Sequence, residues 1–309
     1  MSSTQWSNRA QSLSSSARHS RLKRELVAYS FILPNFLGFA IFTLIPMVFS
    51  LVLAFMHWDG AGAITWAGLS NFADMLKDET FRISLINTLY YVAFTVPLTM
   101  AAALGLALLL NQPLRGRDFF RTTFFFPYVA SLVAVAVVWN MIFHPAMGPV
   151  NQLLSALGVD KPPRWTASVD WAMPTVIMAS VWKGMGYYMV LYLAALQGIP
   201  SYLYEAAEID GANSWQRFRY ITLPMLTPTT FFVSIMLTIA SFKVFDLILV
   251  MTGGGPGRAT NVLVVHTYNM AFKEFRYGYS SAIAMVLFVI VLVITIIQFR
   301  MERRWVNYM

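Results

Sequence analysis

The sequence predicts an all-α polytopic membrane protein of about six transmembrane helices, with both termini in the cytoplasm, and three observations lead there. Of 309 residues, 58% are hydrophobic and only 12% charged, against about 25% charged in a soluble domain. The apolar residues fall in blocks of roughly 20 to 30, the length a helix needs to cross hydrocarbon. Basic residues gather at alternate block ends, as expected where Lys and Arg are retained inside.

The elements follow in order. Residues 1–24 are Ser-rich and basic (Arg9, Arg18, Arg21, Lys23, Arg24) without the pattern of a cleaved signal, and read as a disordered cytoplasmic tail. Residues 25–309 form the transmembrane domain, with spans expected near 26–55, 86–110, 120–143, 172–196, 225–250 and 280–299. Pro34 and Pro46 should kink or break the first span. The stretch from Leu69 to Phe81 reads as a short amphipathic surface helix with Phe72, Met75 and Leu76 on one face.

Charge orients these spans. The tail, the 111–121 loop (Arg115, Arg117, Arg121) and the C-terminus (Arg300, Arg303, Arg304) are rich in Arg and belong inside. Segment 57–83 sets Lys77 and Arg82 against Asp59, Asp74, Asp78 and Glu79, and segment 144–171 balances Lys161 and Arg164 with Asp160 and Asp170, so both belong outside. Segment 251–279, with Arg258, Lys273 and Arg276 against Glu274, is placed outside by the parity of the spans.

Composition also excludes. The chain has no cysteine, hence no disulfide, thiolate metal site or cysteine nucleophile. A net charge of +8 sits at span ends rather than along one face, which argues for a lipid bilayer as partner and against nucleic acid. The glycines of Gly253–Gly257 lack the Gly-Lys-Ser/Thr ending that lets a lysine reach phosphates, since Pro256-Gly257-Arg258 stands there instead. They read as a flexible external loop. No metal or nucleophile constellation is present, so the chain reads as a pathway, not an enzyme, with no cofactor of its own.

The 200–224 loop differs from the others. Ser201 can cap a helix over Tyr202–Ile209, Gly211 suits a position of positive φ, and a second turn runs from Ser214 to Tyr220. Tyr202, Ala206 and Ile209 share one face, Trp215 and Phe218 another. Such faces rest either on the bilayer interface or on a partner. The residues Glu205-Ala206-Ala207, then Gly211, then Ile221-Thr222-Leu223-Pro224 resemble the EAA signature of the membrane subunits of binding-protein-dependent ABC importers. Met251-Thr252-Gly253-Gly254-Gly255-Pro256 with Thr260, the stretch Tyr268 to Phe272, Phe126-Pro127 and Asn87-Thr88 resemble the carbohydrate branch, on its MalF-like side.

That resemblance implies a type I ABC importer permease fold in a bacterial or archaeal inner membrane. It implies a MalG-like second permease, two ABC ATPases that hold ATP and Mg, and an extracytoplasmic solute-binding protein. The substrate implied is a carbohydrate. Glu205, Ala206, Ala207, Gly211, Ile221, Leu223 and Pro224 would then couple the permease to the ATPase.

Ionisable residues within spans are costly and point to function, and here they are Lys183, Lys243 and Asp246. At 1.5 Å per residue Lys183 lies roughly 17 Å from the outer end of its span, near mid-membrane, and Asp246 about 6 Å from its own. Lys243 and Asp246, three apart, read either as a self-neutralising pair on one face or as part of the route. Sugar recognition asks for hydroxyl partners and flat aromatic faces, offered by Tyr128, Trp182, Gly184, Tyr187, Tyr188 and Ser241 on three spans that line the sugar site in the MalF-like permeases. A lysine at 183 leaves room for glycerol-3-phosphate or another sugar-like anion. An ion-coupled secondary transporter would show acid relays or repeats, and Asp246 is the only acid within a span.

Overall fold

The computed structural model describes residues 24, 25 and 27–305, so the tail expected over 1–24 lies outside it apart from Arg24. The chain forms two compact units, Met1–Leu53 and Ala54–Met309.

The described part of the first unit is one long helix, α1 (Val27–Leu53). The expected break at the prolines is absent. Pro46 has no N–H and crowds the preceding turn, and the helix answers by widening into a π turn over Ala40–Leu44, where the Ile45 N–H reaches back to the Ala40 carbonyl.

The second unit begins with a hairpin, β1 (Met56–His57) antiparallel to β2 (Thr65–Trp66). Helices α2 (Ser70–Lys77) and α3 (Glu79–Leu110) follow, then α4 (Arg117–Val129), α5 (Leu132–Ile142) and α6 (Pro149–Ala156). The long α7 (Val169–Gln197) leads to α8 (Ser201–Ile209), α9 (Ser214–Met225) and α10 (Thr227–Phe242). The chain closes with α11 (Asp246–Met251), α12 (Leu263–Phe272) and α13 (Tyr277–Trp305).

Among the described residues α1, α3, α7 and α13 are long and apolar enough to cross a membrane, and the bent pairs α4/α5 and α9/α10 bring the number to six if each pair is one span. Two expected spans are therefore corrected. The helix expected over 120–143 turns through 101°, because Ala130 and Ser131 are extended (ψ 146° and 127°) just after Pro127. The helix expected over 225–250 bends by 62° at Leu226 and stops at Phe242. Its bend lies between Pro224 and Pro228, where the Pro228 ring leaves the Pro224 carbonyl without its helical donor and the Thr227 hydroxyl takes that place at 2.6 Å.

Small residues let the long helices approach closely. Ala103 and Ala107 of α3 are fully buried against Met189, Tyr192 and Leu193 of α7 in one core. A second core joins Tyr91 and Val176 to Ile248 and Val262, and a third joins Ala54 and Met75 to Leu263 and Ile283. Gly186 marks the crossing of α4 and α7, for a Cβ there would overlap the Phe124 carbonyl oxygen.

The short α2 packs differently from its sequence reading. Asn71 and Met75 are buried, with the Asn71 amide donating to the Ala54 and Met56 carbonyls at 2.9 Å, whereas Leu76 is 88% exposed. Asn71 takes the inward place because its two donors satisfy chain ends that would otherwise be buried unpaired.

The glycine-rich segment is pinned rather than flexible. Asn87 of α3 donates to the Arg258 and Asn261 carbonyls at 2.9 and 3.0 Å, Asn261 donates to Ser84 at 3.0 Å, and the Leu263 N–H donates to Thr88 at 2.9 Å. Arg258 pairs with Glu79 at 3.1 Å, and the Thr252 and Thr260 hydroxyls meet at 2.7 Å.

At the same end Asp78 caps α3 and accepts hydrogen bonds from the Thr80 N–H and, at 2.7 Å, the Tyr279 hydroxyl, with His266 Nε2 at 3.2 Å. His266 is 1% exposed, and burial pushes its pKa below the ordinary value against the pull of the Asp78 and Glu274 charges. Burial pushes the Asp78 carboxyl up, but Tyr279, the Thr80 N–H and His266 outweigh it and hold that carboxyl below the usual range.

Two outcomes are expected. Gly186→Val forces α4 off α7, and the thermal unfolding midpoint of the purified protein should drop by several degrees, as for an overpacking cost of about 1–3 kcal/mol. The depressed pKa values of His266 and Asp78 mean that the unfolded chain binds more protons. Stability is thus fully present above about pH 6.5, the free histidine value, and falls on acidification, first through His266 and then below about pH 4 through Asp78. Midpoints measured against pH should show the first of these falls in the native chain and not in His266→Gln.

Candidate functional site

Halfway along the bundle a cavity of about 260 Å³ lies where α3 and α7 meet the ends of two broken helices. The 243–245 break contributes Lys243, Val244 and Phe245, and the α4/α5 break contributes Tyr128 and Leu132. Non-helical backbone is tolerated at membrane depth only where protein or a cavity satisfies it, and broken helices at mid-membrane are how many transporters build their binding sites.

Lys183 closes the first break. It stands 14 residues into α7, roughly 21 Å along the helix. Its ammonium donates to the Pro127, Tyr128 and Ala130 carbonyls at 3.0, 3.1 and 3.0 Å. The first two are among the last carbonyls of α4, which have no helical partner, and the third belongs to the extended residue that follows; a cation there also meets the negative end of the helix dipole. All three donors of Lys183 are engaged. Its position at the cavity wall is therefore a structural pairing, with the Tyr128 ring centroid 5.9 Å from the ammonium.

The other expected route residues divide. Tyr128, Lys183, Gly184, Tyr188, Ser241, Lys243 and Asp246 line the cavity. Tyr187 stands behind it, stacked on Tyr128 with centroids 4.4 Å apart. Trp182 points elsewhere, edge-on to Trp139 at 5.7 Å and along an apolar groove with Leu98 and Val181. Lys243 and Asp246 are not a pair on one helical face. The helix ends at Phe242 and restarts at Asp246, and no ion pair joins the two among the described residues.

Tyr91, Thr95, Thr99 and Ser180 also line the cavity, and the sequence reading passed over them. Their signal was available: Ser84, Thr88, Tyr91, Thr95 and Thr99 recur at steps of 4, 3, 4 and 4, a single helical face made of hydroxyls within an apolar span.

The 200–224 elbow forms at one end of the bundle. Ser201 does not cap α8, whose cap position is Pro200 without a side-chain bond. Leu203 and Tyr204 turn inward onto the first core, as do Ile221 and Met225, and the Tyr204 and Thr222 hydroxyls meet at 2.9 Å. Glu205 and Ala206 face out, Ala207 is half-buried, and Tyr202 and Ile209 are exposed on the same outer side, Ile209 by 87%. Gly211 has φ +76°, a value costly for any other residue, and reverses the chain. Beyond it Asn213 and Gln216 form a capping box at the start of α9, and an Arg217–Glu208 ion pair ties α9 to α8. Leu223 and Pro224 stand just before the bend at Leu226.

Among the described residues no group of three or more His, Asp or Glu could hold a metal ion.

Residues 95–307 match the family of binding-protein-dependent transport system inner membrane components. The chain is 41% identical over 290 residues to the probable ABC transporter permease protein YesP of Bacillus subtilis, covering 93% of each chain. It is 36% identical to the lactose transport system permease protein LacF of Rhizobium radiobacter, over 92% of this chain and 97% of that one. Among solved structures it is similar to a chain of a bacterial ABC transporter involved in the import of the acidic polysaccharide alginate. That match has a TM-score of 0.84 at 27% identity and covers 94% of this chain and 100% of the other.

The Lys183 geometry makes its own prediction. Lys183→Met keeps the length and removes the donors, so α4 should lose its end cap and stability should fall by about 1–3 kcal/mol, the cost of buried unpaired carbonyls. Chemical denaturation in detergent measures this, and a Met variant as stable as the native chain would show that the ammonium is not a structural cap.

Proposed function

We infer the function from one fact: the chain belongs to the family of binding-protein-dependent transport system inner membrane components. Within that family it forms one half of the membrane pathway of an ATP-driven ABC importer for a carbohydrate. The observation that carries this reading is the mid-membrane cavity bounded by two broken helices and walled by hydroxyl and aromatic side chains. Such a wall suits a solute with many hydroxyl groups and one flat apolar side, and a relative named for lactose transport is compatible with it.

The route runs past Tyr128, Gly184, Ser241, Lys243 and Asp246, with Tyr187 supporting Tyr128 from behind. A sugar-like anion such as glycerol-3-phosphate fits less well. The residue that favours it, Lys183, spends its three donors on backbone carbonyls.

The elbow takes the second role. Its outward face, with Glu205, Ala206 and Ile209, docks on an ATPase at the cytoplasmic end, where the small alanines allow close approach and Glu205 offers a charge. Ala207, Ile221, Leu223 and Pro224 hold that face to the bundle, so a push on the elbow is delivered to the bend at Leu226. ATP and Mg belong to two ATPase subunits, a second permease completes the pathway, and a solute-binding protein meets the opposite end. The chain itself carries no ATPase site and works in the bacterial or archaeal cytoplasmic membrane.

Reconstitution tests this. In vesicles holding both permeases, the ATPase and the binding protein, solute uptake should require ATP and persist when ion gradients are collapsed. Gly211→Val strains the turn, and uptake should fall at least about tenfold while ATP hydrolysis continues, since the motor loses its grip rather than its chemistry. Native-rate uptake by that variant would remove the coupling role.

A further inference from the structure

We propose that the mid-membrane face of α3 bearing Thr95 and Thr99 is the hydrogen-bonding wall for the uncharged hydroxyl groups of the transported sugar. This rests on the pathway reading above and deepens it.

The stripe divides into three parts. Ser84 and Thr88 are committed to structure: each donates to a carbonyl four residues back at 2.7 Å and accepts from the pinned segment, through Asn261 and the Leu263 N–H. Tyr91 is committed to Ser180 at 2.7 Å, and Ser180 in turn to the Val176 carbonyl. Thr95 and Thr99 are 4% and 1% exposed, yet their hydroxyls have no hydrogen-bond partner. Thr95 stands beside the Tyr91 phenol without a sound hydrogen bond to it.

The usual remedy for a buried threonine in a helix is a bond to its own i−4 carbonyl, and Thr175, Thr252 and Thr267 take it here. Thr95 and Thr99 do not, and both line the cavity. A buried hydroxyl left unpaired is unfavourable and asks for an explanation. A hydroxyl both donates and accepts, so its natural complement is another hydroxyl. The Lys183 ammonium beside this wall is occupied by carbonyls, and Thr95 and Thr99 themselves are uncharged. Gly184 faces the same wall, where a Cβ would meet the Thr99 methyl at 3.5 Å, so the glycine keeps open the space beside it. Tyr128 supplies an aromatic face to the same cavity.

The experiment uses the complete importer in proteoliposomes, with a panel of radiolabelled neutral mono- and disaccharides and their carboxylated and phosphorylated counterparts. Thr95→Val and Thr99→Val keep the side-chain shape and remove the hydroxyl. Each should lower kcat/KM for the neutral sugar that the native importer takes up by about tenfold, and Thr95→Ser and Thr99→Ser should recover most of it. Thr175→Val, whose hydroxyl only back-bonds, should transport as the native protein does. The unfolding midpoints of Thr95→Val and Thr99→Val without sugar should stay level or rise, since an unpaired buried group has been removed. A drop in midpoint would mean a structural role and overturn the proposal. So would native kcat/KM in both Val variants, which leaves the importer reading intact. Uptake of the anionic panel members alone would overturn the assignment to uncharged hydroxyls. If no member of the panel enters in an ATP-dependent way, the importer reading itself fails.

Discussion

A helix that ends inside a membrane must hand its last carbonyls to something, and here the Lys183 ammonium receives two of them and the one that follows. The rest of the site depends on this arrangement. It allows α4 to stop after Pro127 and α5 to leave at 101°, which turns Tyr128 and Leu132 into the cavity wall. It also gives an expensive buried charge three acceptors. A lysine that reads as a ligand for anions is in this setting a cap for a broken helix.

The two ends of the bundle are built to different tolerances. At one end the 252–262 segment is fastened to α3 by amide, hydroxyl and guanidinium contacts, and Asp78 gathers α3, α12 and α13 into one knot. At the other the elbow of α8 and α9 holds to the body through Leu203, Tyr204, Ile221 and Met225, one hydroxyl pair ties its two helices together, and a broad apolar face is left outward. Ile209 and Trp215 at that end are 87% and 68% exposed. The contrast suits a molecule that is held firmly on one side and driven from the other.

The long apolar runs were legible in the sequence because hydrocarbon thickness imposes a minimum length, and α3, α7 and α13 extend beyond their expected limits by a few residues at most ends. The breaks near Ala130 and Lys243 were not legible. Neither Ala130 nor Val244 is a helix breaker, and at Ala130 the partner is tertiary: the donor at Lys183, 53 residues further on, cannot be seen in the local pattern. The same limit explains the 252–262 segment, whose glycines suggest freedom locally while Asn87, 171 residues away from Arg258, removes it. The elbow was legible down to Gly211 because its turn is set by local backbone needs. Seven of the nine expected route residues, Tyr188 among them, converge on the cavity. Trp182 does not, since aromatic character alone says nothing about which side of α7 it occupies. The hydroxyls of α3 were written plainly at helical spacing, yet serine and threonine are common enough in spans to escape notice when each is read singly.

The alanine contacts between α3 and α7 have one more consequence. With Ala103 and Ala107 fully enclosed against Met189 and Leu193, these two helices share a close-packed core, and interiors packed to that density transmit strain rather than absorb it. The pair is built as a single plank. Any change in which side of the membrane can reach the cavity must then be taken up where the chain is already jointed, at Ala130–Ser131, at Leu226 and at 243–245. The jointed helices are the swinging leaves, and the α3–α7 plank is the door-post on which they hang.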